Sequence, residues 1–313
     1  MTGAAATIPF YDAEAVARAT PMPALIAALR RAFASGEYHA PSRFAADMGG
    51  ASLLVMPAWK GSERVGTKIV TVDPRTRPSI QSTYILSDRV SGRQIAAIDG
   101  AVLTRRRTAA ASVLAASRLA RPASNTLLVI GTGALNAAII EAYSSAFGIN
   151  QIMVWGRDAD KAETAACAAR AQGYPAAAIA TIEAGLAAAD IVSAATLATD
   201  PLIAGAALRP GMHIDLIGAF RPDMCEADAE AFARARVFVD THEGAMDEAG
   251  DLQQAVAAGA LGMDAIEADL AALCSGAHPG RGMDDKAITL FKSVGTAIED
   301  LAAAELVVGD VAP

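Results

Sequence analysis

Gly131-Thr132-Gly133 stands between an aliphatic run, Leu127-Leu128-Val129-Ile130, and a helical segment that opens with Ala134 and Leu135 and runs to Tyr143. A buried strand that turns on glycine directly into a helix aims backbone N–H groups and the positive end of a helix dipole at one point, which suits a pyrophosphate. A full Gly-x-Gly-x-x-Gly pattern would put a third glycine where Asn136 stands. The helix is therefore expected to pack slightly farther from its strand, with Ala137 and Ala138 restoring part of the approach. A strand-to-helix turn that binds nothing is the alternative reading of this motif alone.

A second strand, Gln151 to Trp155, ends in Gly156-Arg157-Asp158, about where a dinucleotide fold presents its ribose-recognition residue. No carboxylate closes that strand. An acid at its tip would bind the 2′-hydroxyl of NAD(H) and repel a 2′-phosphate, whereas Gly156 leaves room and Arg157 offers a planar cation. NADP(H) is expected to be preferred, and NAD(H) stays possible because Asp158 follows one residue late, where it can instead cap the next helix. Arg157 can also be read as a solvated loop arginine. Thr196, Leu197, Ile217 and Gly218, at the ends of later strands, are expected to line the cofactor crevice, since ligands in such sheets bind outside the carboxyl ends of the strands.

Three cations upstream need an explanation. In Val65 to Val72, period-two alternation puts Lys68 on the face of Val70 and Val72. Desolvation there lowers an ammonium pKa unless an anion compensates, and either outcome is chemically useful; a lysine snorkelling to the sheet edge is the plain alternative. Arg107 opens the small-residue segment Thr108-Ala109-Ala110-Ala111-Ser112, which lets another surface come close, while Arg105 and Arg106 read as a solvated helix start. Arg43 has no local distinction and reads by itself as a surface residue.

The elements that would hold these residues follow from periodicity. Residues 12–35 predict two helices separated by a turn at Pro21 and Pro23 and ended by Gly36. Strands are expected at Ser52–Met56, Val65–Val72, Gln81–Leu86 and Gln94–Ile98, the last two joined by a Ser91-Gly92 hairpin, so an antiparallel sheet is expected. Leu103–Leu119 predicts a helix that leads to a boundary at Arg121-Pro122. Beyond it, Ile191–Ala195, His213–Ile217 and Val237–Val239 alternate with helical stretches, as a doubly wound sheet requires, and a last helix is expected from about Ala287 through Leu306.

Composition bounds the class. The 313 residues are 53% hydrophobic and 19% charged with a net charge of −8, and the only basic cluster, Arg105 to Arg107, is short, which argues against nucleic acid as a partner. No apolar run approaches the length of a membrane span and no signal-peptide pattern opens the chain, so no membrane association and a cytoplasmic location are expected. Cys167, Cys225 and Cys274 form no close pair, and His39, His213, His242 and His278 are scattered, so neither disulfide nor metal is indicated.

Taken together, Arg43, Val65-Gly66-Thr67-Lys68, Leu103 to Ser112, Gly131-Thr132-Gly133, Ile217 to Asp223 and Thr289-Leu290-Phe291-Lys292-Ser293-Val294-Gly295 resemble the ornithine cyclodeaminase and mu-crystallin family over almost the whole chain. The resemblance implies an α/β chain with a Rossmann NAD(P)-binding domain at 121–286. It further implies an α+β domain at 1–120, completed by a carboxyl-terminal helix at 287–313, that binds substrate and forms a homodimer. It implies chemistry at a C=N bond beside a carboxylate, with Arg43, Lys68 and Arg107 holding that carboxylate and Lys68 and Arg107 assisting catalysis.

Members that cyclise ornithine carry an aspartate where Phe220 stands. A phenylalanine cannot anchor an ammonium but suits the apolar ring of a small cyclic imino acid, and the segments around Asp215 to Met224 and Val239 to Asp251 are similar to Δ1-pyrroline-2-carboxylate reductases. NADPH-dependent reduction of Δ1-pyrroline-2-carboxylate or Δ1-piperideine-2-carboxylate is therefore expected. A cyclodeaminase-type lyase, an alanine dehydrogenase and a non-catalytic NADPH-binding protein are the alternatives. Asp223, Glu226 and Asp228 are expected to face solvent or cap helices.

Overall fold

A computed structural model describes residues 7–309 apart from Pro74; the outermost residues of the expected first domain, 1–6 and 310–313, lie outside the described set. The chain divides into two compact units, Met1–Arg107 with Thr296–Pro313, and Thr108–Gly295.

The first unit opens with β1 (Phe10–Tyr11), α1 (Ala13–Ala19) and α2 (Met22–Ser35). Asp12 caps α1 by accepting the N–H of Ala15, Pro23 sits in the first turn of α2, and Gly36 ends that helix in the left-handed conformation that glycine adopts without strain. Then come β2 (Tyr38–His39), β3 (Phe44–Asp47), β4 (Ser52–Lys60), β5 (Arg64–Val72), β6 (Ile80–Asp88) and β7 (Gln94–Asp99). Strands β4 to β7 form an antiparallel meander, as alternation predicts, with β1 added in parallel at the β7 edge. Side chains at alternate positions, Met56, Ala58, Lys68, Val70, Tyr84, Leu86, Ala96 and Ile98, are buried. The last helix, α11 (Ala297–Val308), packs on α2 and on β4 and β5. The opposite face of the sheet, at Ile69, Thr71 and Thr83, is exposed.

Helix α3 (Gly100–Leu119) runs on into the second unit. There the elements are β8 (Thr126–Ile130), α4 (Asn136–Ala146), β9 (Gln151–Trp155), α5 (Ala159–Ala171), β10 (Ala176–Ala178), α6 (Ile182–Ala188), β11 (Ile191–Ala194), β12 (His213–Leu216), α7 (Ala229–Arg234), β13 (Arg236–Val239), α8 (His242–Glu248), α9 (Gly250–Ala257), β14 (Ile266–Asp269), α10 (Leu270–Ser275) and β15 (Thr289–Lys292). All eight strands are parallel in the order β10-β9-β8-β11-β12-β15-β13-β14, so the winding reverses between β8 and β11. This is the Rossmann-type doubly wound sheet that the sequence predicts.

One element differs. The expected helix from about Ala287 begins only at Ala297, because Thr289–Lys292 is a fully buried strand inserted between β12 and β13. Four residues are too few to display a period, and β-branched Ile288 and Thr289 followed by Leu290 and Phe291 suit a strand buried on both faces.

Candidate active site

In the first unit, strand alternation sends Lys68 inward from β5, where it is 2% exposed. Arg107 comes from α3 and is 4% exposed. Charges so deep must be paired. The Lys68 ammonium lies 2.7 Å from Asp300 Oδ2, while Arg107 Nε donates to Asp300 Oδ1 at 3.0 Å and Nη1 donates to Glu299 Oε2 at 2.5 Å. Asp300 therefore bridges the two cations. Burial would raise its carboxyl pKa, but the Arg107 and Lys68 charges outweigh burial and hold it below the usual carboxylate range. Arg107 is raised, since Asp300 and Glu299 more than offset its own desolvation. Lys68 is pulled down to about 8, by burial first and by the Arg107 and Arg43 charges, with Asp300 working the other way. Both outcomes foreseen for this lysine, desolvation and a compensating anion, occur together.

The structure thus brings Lys68 and Arg107 onto one carboxylate, and Arg43, half-buried just before β3, acts on Lys68 through its charge. With Nε and Nη1 of Arg107 committed to acids, Nη2 is the guanidinium nitrogen with no acid partner among the described residues. Glu299 and Asp300 were missed by reading the sequence. Their signal is two adjacent acids, both buried, inside Ala297 to Val308, a helix otherwise apolar apart from half-buried Glu305.

In the second unit, Gly131 ends β8 with φ +120°, and a Cβ there would meet the Ala195 carbonyl oxygen at 2.7 Å. Only glycine fits this crossing of the β8 and β11 ends, at the point where the winding reverses. Gly133 and Ala134 are exposed, Thr132 and Leu135 half-buried, and a Cβ at Gly133 would meet nothing. Asn136 replaces the third glycine with a hydrogen bond, its Nδ2 donating to the Gly131 carbonyl at 2.8 Å, so the turn is closed by a side chain rather than by close packing. No side chain caps α4, and the first N–H of the helix, that of Asn136, donates to the Gly133 carbonyl at 3.1 Å. At the β9 tip, Arg157 is exposed, and Asp158 is occupied as the cap of α5, accepting the Lys161 N–H at 3.1 Å.

The other strand-end residues meet at Glu226. Its Oε1 accepts the Thr196 N–H at 2.7 Å and the Thr196 hydroxyl at 2.9 Å, and its Oε2 accepts the Gly218 N–H at 2.7 Å. The expectation of a solvent-facing or capping Glu226 is therefore overturned: the residue is fully buried, because three donors that no strand satisfies converge on it. Asp228 does cap α7, and Asp223 is exposed and paired with Arg221. Leu197 is exposed, Ile217 and Gly218 are buried, and Phe220 is 37% exposed. Among the described residues no group of acids, histidines and cysteines could hold a metal, and no helix is long and apolar enough to cross a membrane.

A family model described as the ornithine cyclodeaminase/mu-crystallin family matches residues 11–312. The chain belongs to that family. It is 38% identical over 255 residues to a Δ1-pyrroline-2-carboxylate reductase of Paracoccus denitrificans, covering 80% of each chain. The structure of the Thermococcus litoralis Δ1-pyrroline-2-carboxylate reductase in complex with NADH and L-proline is similar with a TM-score of 0.91 and 28% identity over 96% of both chains. An archaeal alanine dehydrogenase dimer with bound NAD is similar with a TM-score of 0.89 and 27% identity, over 96% of this chain and 95% of that one. These likenesses reach from the antiparallel meander to the parallel sheet, so they extend to both units.

Proposed function

We propose that this chain is an oxidoreductase that reduces a cyclic ketimine carboxylate, Δ1-pyrroline-2-carboxylate or its six-membered homologue, to L-proline or L-pipecolate. The observation that carries the reading is Lys68: a buried ammonium beside Arg107, with its pKa drawn down to about 8, is an acid matched to giving up a proton near neutrality. Arg107 through Nη2, with the Arg43 charge in support, receives the substrate carboxylate. Lys68, directly or through a water, delivers a proton to the ring nitrogen, so that no amide anion forms as the imine carbon is reduced. Phe220, with no charge to offer an amine, presents an aromatic wall to the apolar ring.

The glycine turn fits a nicotinamide dinucleotide: Gly131 has no room for a Cβ, Gly133 is open, and the uncapped α4 start offers N–H groups to a pyrophosphate, with Thr132, Ala134 and Leu135 around it. When bound, the reduced dinucleotide supplies the hydride. Thr196, Leu197, Ile217 and Gly218 hold the crevice at the strand ends. Preference for NADPH over NADH is supported by Arg157 standing exposed with no free carboxylate at the β9 tip among the described residues, Asp158 being used as a cap. The domain that binds substrate, 1–120 with the last helix, also forms a homodimer, for which the exposed apolar positions of the meander, Ile69 and Ile80 among them, offer a surface. A soluble cytoplasmic enzyme without nucleic-acid or membrane partners completes the reading.

The test is oxidation of NADPH and of NADH, followed by absorbance, with Δ1-pyrroline-2-carboxylate. Lys68→Ala and Arg107→Ala should each lower kcat/KM by about 10²- to 10⁴-fold. Full activity in both variants would remove the assignment. The likeness to an alanine dehydrogenase supports a second reading, pyruvate plus ammonia to alanine, which a strict requirement for free ammonia would reveal.

A further inference from the structure

Ala219 is the one non-glycine residue with positive φ among the described residues, at +54°, and it is fully buried between Gly218 and Phe220. An alanine held there costs about 1 kcal/mol or more relative to an ordinary conformation, so its surroundings must impose it.

Those surroundings are a buried charged cluster outside the reaction described above. Lys292, at the end of β15 and fully buried, donates to the Gly218 carbonyl and lies 3.3 Å from Asp251 Oδ1 in the first turn of α9. Glu226 takes the Gly218 N–H on Oε2 and both Thr196 donors on Oε1. Both ends of the Gly218 residue are thus held by oppositely charged side chains. The next carbonyl, that of Ala219, accepts the Gly250 N–H at 2.8 Å. A Cβ on Gly218 would lie 2.2 Å from the Thr196 carbonyl oxygen, and one on Gly250 2.1 Å from the Arg221 carbonyl oxygen, so the backbones on either side are in contact and the turn cannot slide. A cluster of this kind is expensive to bury and is not needed merely to hold a hydrophobic core together.

We infer that Lys292 and Glu226, with Asp251 behind them, are positioning residues for substrate recognition: they clamp the Gly218 peptide, force Ala219 into its left-handed backbone, and so fix where the Phe220 ring stands. The claim rests on the reading of Phe220 as the wall for the substrate ring and adds what holds that wall. Specificity at this position is then set by two things, the side chain at 220 and the ion cluster beneath it. A residue swap at 220 meets a turn already locked in place, and a loosened clamp degrades recognition with Phe220 intact.

The test compares Lys292→Met, Ala219→Gly and Phe220→Ala, each assayed for kcat and KM with Δ1-pyrroline-2-carboxylate and its six-membered homologue, for cofactor KM, for melting temperature, and for amide hydrogen exchange at residues 218–220. Lys292→Met should raise imine KM about tenfold or more, and by a larger factor than cofactor KM, with faster exchange at the turn. Ala219→Gly should melt no lower than the parent, because glycine carries no left-handed penalty, and keep the parental imine KM and ring preference, because the ions still hold the turn. If Lys292→Met does not fold, Asp251→Asn, which strips Lys292 of its counter-charge, takes its place with the same readouts. Parental KM, ring preference and exchange in the folded clamp variant overturn the inference, as does a rise confined to cofactor KM. Phe220→Ala separates the two layers: a raised KM there with parental kinetics in the clamp variant refutes the clamp only, whereas an unchanged KM in Phe220→Ala removes the wall and the clamp with it.

Discussion

Burial drives the Lys68 pKa down and Asp300, at 2.7 Å, draws it back up, so the value of about 8 is a balance that one substitution can tip. Asp300→Asn keeps the shape and removes the charge. The Lys68 pKa should fall below its present value, the ammonium should be lost at lower pH, and the alkaline limb of the kcat profile for imine reduction should move to lower pH. An unmoved limb would show that another group sets it. The same variant leaves two buried cations with less counter-charge and should lower stability by about 3 kcal/mol, read by urea denaturation. Lys68 also links stability to pH. Its folded pKa lies below its ordinary value of 10.5, so between about 8 and 10.5 the unfolded chain holds a proton the folded chain has released. In that window its contribution to stability grows as pH rises, and below about 8 its burial penalty is fully present. Lys68→Met should flatten that part of the stability profile.

At the scale of single elements, two glycines decide whether strands can carry their load. On β5, a Cβ at Gly66 would fall 1.8 Å from the Tyr84 hydroxyl and 2.5 Å from the ring carbon that bears it, and the Tyr84 ring is fully buried with nowhere to turn. Gly66→Ala should therefore destabilise the meander by about 1–3 kcal/mol, seen as a lowered melting temperature, and displace Lys68 two residues along the same face. At the end of β8, Gly131→Ala introduces both a strained φ and a clash with the Ala195 carbonyl. Its expected outcome is a folded protein with cofactor binding weakened at least about tenfold by fluorescence titration, because the turn must open by the width of a methyl group. Cofactor affinity equal to the parent would place the pyrophosphate elsewhere.

For the molecule as a whole, the meander has one covered and one open face. Leu53, Val55 and Pro57 on β4 stand across from Thr71, Ile69 and Thr67 on β5, and Ile69 again from Thr83 on β6, in a surface that is half-buried or exposed throughout. A stable dimer buries about 800 Å² on each partner, which a four-stranded face can supply. Ile69→Lys, placed in the middle of that face, should convert a dimer to a monomer in sedimentation velocity without lowering helix content. A dimer that survives the charge would put the interface on another surface.

Sequence alone determined the local grammar. Alternation in Val65 to Val72 turned Lys68 inward, Pro21 and Gly36 punctuated the helices, and Gly131-Thr132-Gly133 marked a strand-to-helix turn, because each follows from backbone sterics and side-chain period within a few residues. Asp158 as a cap was legible for the same reason. Partners distant along the chain were not. Thr289–Lys292 becomes a strand only because β12 and β13 leave a slot between them, Glu226 is drawn inside by donors from two other loops, and Asp300 meets Lys68 from 232 residues away in sequence, as their numbers give. Pairing of buried charge depends on which elements pack together, and that is fixed by tertiary structure, where low dielectric makes each misplaced charge costly.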